Sequence, residues 1–151
     1  MKIVVLKFGG TSVGTVDRIK KVANIIISYV KKKYKVIVVS SAMSGVTNDL
    51  VKKSKKISNN FISSEYDVLV SSGEQMSCAL IAGRLNHLGY RSQSWMGWQV
   101  PILTEGNHSA SRIIQIYKEK INKFLQSNHK AISESFKKQS YKNSWHRICR
   151  R

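Results

Sequence analysis

Two short apolar runs rich in β-branched residues, Ile3–Leu6 and Val36–Val39, bracket a stretch whose apolar side chains recur at helical spacing. Such runs, bounded by glycine or hydroxyl residues, read as buried parallel strands. Between them Val16, Ile19, Ala23, Ile26, Ile27 and Val30 mark one face of an amphipathic helix, with Arg18, Lys20 and Lys21 on the other. Strand, helix, strand in this order is a βαβ unit, which requires parallel strands and a right-handed crossover. Open α/β sheets place ligands beyond the carboxyl ends of their strands. The residues after the first strand (Lys7, Gly9, Gly10, Thr11, Ser12) and those after the second (Ser40 to Asn48) therefore face one crevice.

The chemistry available there can be read residue by residue. Glycines without Cβ atoms let the backbone approach a bound group and present its N–H donors. A following helix adds the positive end of its dipole. Lys7 supplies a mobile point charge suited to phosphate oxygens. Taken alone, the same residues also describe a tight strand-to-helix turn with a solvated lysine. Thr15 is placed to cap the first helix, with Asp17 in its first turn, and the Lys31-Lys32-Lys33 run ends it.

Thr47 or Asn48 is the expected cap of a second helix carrying Leu50, Val51, Ser54, Ile57 and Phe61. Residues Glu65 to His87 read as helical with a break near Ser71-Ser72-Gly73. Leu69, Met76, Leu80 and Leu85 form its expected buried face, and Gly89 its C′ residue. With that break, Glu74 stands at a helix start, where an acid complements the dipole. Arg91 to Trp98 reads as a further strand. The segment from Ile113 begins as a strand or a helix, and from Tyr117 onward Ile121, Phe124 and Leu125 trace a helix face.

Composition narrows the partners. The formal net charge is +18, and a surface that basic attracts nucleic acid or anionic lipid without specificity. The Lys, Ile, Asn and Ser bias runs through the whole chain, so it reads as compositional drift more than as a built patch. Cys78 and Cys149 are too few and too distant for a disulfide framework or a metal site, and His108 has no partner at ligand spacing. No apolar stretch approaches the roughly 20 residues of a membrane helix. The apolar run after Lys2 meets Lys7 too soon for a secretory signal. A cytoplasmic protein is the expectation. A dinucleotide-binding dehydrogenase is disfavoured, since the first turn lacks GxGxxG and the acid that follows it.

Three strings resemble the aspartate kinases of the amino acid kinase superfamily. KFGGTSVG, Lys7 to Gly14, resembles their opening signature. SSAMSGVTN, Ser40 to Asn48, is similar to their second. SSGEQMS, Ser71 to Ser77, matches a Gly-Glu segment. Gly97-Trp98-Gln99, Thr104-Glu105, His108 and Arg112 also fit, although Pro101 stands where small residues are commoner. The resemblance implies an α/β fold, a mainly parallel amino acid kinase-like (carbamate kinase-like) sheet with helices on both faces. The reaction it implies is phosphoryl transfer from ATP, with Mg2+, to the side-chain carboxylate of L-aspartate, the first step towards lysine, threonine and methionine. By the same resemblance Lys7 neutralises the phosphoryl group and Phe8, Gly9 and Gly10 belong to the nucleotide segment. Ser41, Thr47 and Glu74 orient the amino acid, Glu74 receiving its ammonium. Self-association is left open.

The resemblance covers residues 1–131, the N-terminal part of such a domain. The family continues into a Gly-Arg-Gly-Gly-Ser-Asp loop, whereas all nine glycines here lie at or before Gly106. From Lys130 onward seven Lys or Arg accompany a single acid, Glu134. The 132–151 tail reads as unmatched and basic, the product of a shifted reading frame, and the expectation is a truncated, impaired kinase fragment. An inactive remnant and a basic nucleic-acid-binding domain are the alternatives.

Overall fold

The computed structural model describes residues 2–108 and 110–127; the 132–151 tail and its junction lie outside them. In chain order the elements are β1 (Ile3–Phe8), α1 (Val16–Lys31), β2 (Lys35–Ser40), α2 (Val46–Ile57), α3 (Ser63–His87), β3 (Ile102–Glu105), β4 (Arg112–Ile116) and α4 (Glu119–Ser127). The βαβ expectation holds: β1 and β2 pair in parallel, in register from Ile3 opposite Lys35 to Phe8 opposite Ser40. β3 and β4 form a separate antiparallel hairpin.

Strand alternation sends Leu6, Phe8, Val36 and Val38 to one face of the β1–β2 sheet. There they pack on Ile19, Val22, Ala23, Ile26 and Ile27 of α1 and on Ile81 and Leu85 of α3. The opposite face carries Ile3, Val5 and Val39, which are 54%, 60% and 47% exposed, with Lys7 beside Val39 in the register. Thr15 caps α1 as its sequence suggests, its side chain accepting a hydrogen bond from the Arg18 amide at 3.2 Å. The helix ends with Lys33 in the left-handed region, φ 66°. The Tyr34 amide then returns to the Tyr29 carbonyl at 3.2 Å, a Schellman closure built without glycine. At the end of α3, Gly89 takes the left-handed turn instead, φ 82°.

Five local expectations need correction. α2 begins at Val46 behind Gly45 in the left-handed region, so Thr47 and Asn48 lie inside its first turn and neither caps it. α2 ends at Ile57, which stands exposed, so Phe61, expected on that helix, lies beyond it. α3 runs unbroken through Ser71-Ser72-Gly73. A Cβ on Gly73 would meet the Ala42 Cβ at 3.0 Å and Val46 Cγ1 at 3.2 Å, so that glycine serves close packing, not a break. Its buried row is Gly73, Ser77, Ile81 and Leu85, an i, i+4 line, while Met76 and Leu80 face outward.

Residues 91–98, read as a strand, form none. The Asn86 side chain occupies both backbone groups of Ser92, accepting from its amide at 2.9 Å and donating to its carbonyl at 3.0 Å. That leaves nothing there for a sheet partner. The segment from Ile113, open between strand and helix in the sequence, begins as the strand β4 and continues into α4, and β3 is an element the sequence did not announce.

Candidate functional site

Three segments meet at the carboxyl end of the β1–β2 pair, and the residue they share is Ala42. From β1 comes the glycine turn. The Ser41 amide extends the ladder to the Phe8 carbonyl at 3.0 Å, drawing the two strand ends together. Gly10 then lies so close to the β2 loop that a Cβ on it would stand 2.9 Å from the Ala42 carbonyl oxygen. Gly14 is nearly as tight against the Ser44 side chain, at 3.1 Å. Gly9 differs: nothing lies within 4 Å of its virtual Cβ. Of the pair, Gly10 is required by packing, and Gly9 is the one with open space before it.

From α3 comes the carboxylate. The Ala42 amide donates to Glu74 Oε1 at 3.3 Å. Glu74 thus reaches the strand end from mid-helix, one residue after the glycine that lets α3 approach Ala42. One turn on, Ser77 is fully buried and its hydroxyl donates to the Ser41 carbonyl at 2.7 Å. The Ser40 hydroxyl lies 3.4 Å from it. Ser41 and Glu74, separated in sequence, are thereby brought to one peptide. Thr47 follows five residues after Ala42 in the first turn of α2, half-buried. Ser77 was not singled out from sequence. Its signal was a serine on an i, i+4 row with Gly73 and Ile81, which reads equally well as a small core residue.

Lys7 is exposed and issues from the open face of the sheet, because its neighbours Leu6 and Phe8 alternate onto the helical face. Lys7 and Glu74 therefore flank the strand ends from opposite faces, a correction to the expectation that Lys7 shares one crevice with the β2 loop: strand alternation turns its side chain away from the helices. Phe8 is half-buried, packed against the core. On the α1 side of the turn a shallow cavity of about 250 Å3 lies between Phe8, Thr11 and Ser12 and the side chains of Arg18 and Lys21. The Arg18 guanidinium donates to the Thr11 carbonyl and braces the loop.

Burial, and then the negative charge of Glu74, push the Cys78 thiol above its ordinary range, so it stays protonated beside the site. His108 Nδ1 lies 3.1 Å from the Asp67 carboxylate, tying the β3–β4 hairpin to α3. Among the described residues no three His, Cys, Asp or Glu side chains gather as a metal cluster. None of the described helices is long and apolar enough to cross a membrane.

Comparison with known proteins identifies the family. The model of the amino acid kinase family matches residues 2–142. An aspartokinase of Rickettsia felis is 45% identical over 139 residues, covering 90% of this chain and 35% of the relative. An aspartokinase of Geobacillus stearothermophilus is 47% identical over 125 residues, covering 83% of this chain and 31% of the relative. Among solved structures, aspartate kinase from Synechocystis aligns with TM-score 0.55 at 45% identity, over 57% of this chain and 15% of that one. E. coli aspartokinase III, in complex with aspartate and ADP, aligns with TM-score 0.64 at 21% identity, over 84% of this chain and 39% of that one; this second likeness is one of fold. The chain belongs to the amino acid kinase family, and the resemblance to aspartate kinases read from its three motifs is borne out. It spans about a third of the length of the curated relatives it matches.

Proposed function

We propose that this chain carries the amino-acid-binding part of an aspartate kinase, acting in phosphoryl transfer from ATP to the side-chain carboxylate of L-aspartate. The observation that carries this reading is the Glu74 carboxylate held at the strand end by the Ala42 amide. A carboxylate oxygen in that position has one oriented bond to the protein and remaining lone pairs for an incoming ammonium. The aspartokinase relatives, 45% and 47% identical, support the choice of amino acid.

ATP supplies the γ-phosphoryl group, which a carboxylate oxygen of aspartate attacks as ADP departs. What the chain contributes is positioning and charge neutralisation, which make up most of the catalysis of such transfers. Glu74 takes the α-ammonium, and the Ser41 and Thr47 hydroxyls hold the substrate's remaining oxygens. In this reading Lys7, which leaves β1 on the open face of the sheet, reaches over the strand end to neutralise phosphate charge from the side opposite Glu74. The open space before Gly9 suits close approach by a phosphate to a backbone amide. Gly10 keeps the β2 loop against that turn. Mg2+ would come bound to the nucleotide's phosphates, and the described residues supply no cluster to hold it without them.

Calorimetric titration of the full chain with L-aspartate and with Mg-ATP tests the reading. Binding of L-aspartate that Glu74→Gln weakens by tenfold or more, with Mg-ATP binding kept, is the expected result. Wild-type protein that is folded but indifferent to L-aspartate, with and without nucleotide, would overturn it.

A further inference from the structure

The Ser41 carbonyl and the Ala42 amide are the two polar ends of one peptide unit. Both are bonded by α3. The Ser77 hydroxyl donates to the carbonyl at 2.7 Å, and the Glu74 carboxylate accepts from the amide at 3.3 Å. In a trans peptide these two groups point in opposite directions. Residues three apart on a helix stand about 5–6 Å apart on the same side. That spacing lets Glu74 and Ser77 straddle the peptide, one at each edge.

We propose that Ser77 is a positioning residue for the amino-acid site: by holding the Ser41–Ala42 peptide from its carbonyl side, it fixes the rotation of that peptide and so the direction in which the Ala42 amide aims Glu74. The proposal rests on the amino-acid-binding reading above. Three features support it. Ser77 is completely buried, so its hydroxyl has no water to turn to. Its single proton has the Ser41 carbonyl as its shortest acceptor, with the carbonyl of Glu74 itself at 3.0 Å, so the same hydroxyl touches both sides of the junction it holds. Finally, Glu74 has no other described hydrogen bond to the loop, so the aim of its carboxylate depends on where the Ala42 amide points.

Losing Ser77 would not unpair the Ser41 carbonyl entirely, because the Ser40 hydroxyl lies 3.1 Å from it. Ser77→Ala therefore leaves a folded protein in which the peptide has a looser, alternative partner. A purely structural role would lower stability and leave ligand affinities in proportion. A positioning role alters one ligand selectively.

The experiment compares the full chain with Ser77→Ala and Ser77→Thr. The readouts are L-aspartate titration, Mg-ATP titration, and hydrogen exchange at the Ala42 amide. The expected result for Ser77→Ala is an L-aspartate Kd raised about tenfold, the order of one well-placed hydrogen bond, with the Mg-ATP Kd within about twofold. Exchange at Ala42 should be about tenfold faster, while amides in the middle of α1 keep their rates. Ser77→Thr, which retains the hydroxyl, restores all three. An L-aspartate Kd unchanged in Ser77→Ala overturns the proposal, as does equal weakening of both ligands. Should wild-type protein bind no L-aspartate, the functional reading fails by itself. The Ala42 exchange rate then judges the clamp: no acceleration in Ser77→Ala refutes it.

Discussion

Replacing Gly10 by alanine should damage this protein, and replacing its neighbour Gly9 should not. Neither glycine is among those with backbone in the left-handed region, so alanine is conformationally acceptable at both, and only space distinguishes them. At Gly10 the new Cβ would come 2.9 Å from the Ala42 carbonyl oxygen, 3.8 Å from the Ser44 amide nitrogen and 3.9 Å from the Ser44 Cα. All three are backbone atoms that no rotamer change can move aside. The loop would have to retreat by several tenths of an ångström. Ala42 is the residue least free to do so, since its amide is held by Glu74 and the peptide's carbonyl by Ser77.

Overpacking of this kind costs about 1–3 kcal/mol. Stretching the two bonds adds part of the 0.5–1.5 kcal/mol that each contributes, roughly. Against this stands about 0.4–1 kcal/mol from the reduced freedom of the unfolded chain. The net for Gly10→Ala is a loss of about 1–3 kcal/mol, or a fall in Tm of roughly 2–10 °C for a domain of this size. Gly9→Ala meets nothing and keeps only the unfolded-state gain, raising stability by up to about 1 kcal/mol. Thermal and urea unfolding followed by circular dichroism read both. Equal melting of the two variants, or a larger loss at Gly9, would refute the assignment of Gly10 to packing and Gly9 to open space. The ligand prediction has the opposite ranking: Gly9→Ala should weaken Mg-ATP binding without loss of fold.

Removing the α1 cap by Thr15→Ala should cost about 1 kcal/mol, seen as a lower urea midpoint with unchanged slope. Lys33→Gly should do the reverse. An L side chain in the left-handed region costs about 1–2 kcal/mol, and the extra freedom of glycine when unfolded returns part of it, roughly 0.4–1 kcal/mol, so a small rise in midpoint is expected. Peptide-resolved alkylation at pH 8 should find Cys78 slower than an unburied thiol, because burial and the Glu74 charge both raise its pKa; Glu74→Gln should speed it by removing the second cause. Asp17 carries a pKa lowered chiefly by its hydrogen bond from Lys20, 2.8 Å away. A depressed carboxyl contributes stability above its unfolded pKa, near 4, and loses it as pH falls through the folded value. Asp17→Asn should therefore flatten the acid side of the stability curve slightly, the pair being exposed.

The βαβ unit, the first helix with its Thr15 cap, and the last helix face, Ile121 to Leu125, were legible in the sequence because each is written in local periodicity and capping chemistry. The misreadings share one cause. Gly73 looked like a helix breaker because glycine is a poor helix former, but the price of roughly 1 kcal/mol is offset where the missing Cβ lets α3 close on Ala42 and Val46. Ser92 fell within a segment read as a strand, yet the Asn86 side chain claims its backbone first. Thr47 and Asn48 looked like caps, but Gly45 could take the left-handed turn before them. In each instance a residue near or far in sequence but close in space outweighed local propensity.

The candidate site was half legible for the same reason. Lys7, Gly9, Gly10, Ser41, Thr47 and Glu74 could be named from their motifs, because such strings are short and continuous. What joins them could not, because it is a peptide bond without a distinctive side chain. Ala42 is an alanine in a serine-rich loop, yet the glycine turn and the carboxylate meet its own backbone and the buried hydroxyl holds the Ser41 carbonyl of the peptide before it. Its small side chain is part of that role, since Gly73 leaves room for one methyl and no more. Ala42→Val would force α3 outward and carry Glu74 with it, so its effect on L-aspartate binding should exceed its effect on Mg-ATP binding. Affinities for the two ligands that fall in equal measure would place the aspartate and nucleotide contacts on one rigid unit and remove Ala42 from its position as the joint between them.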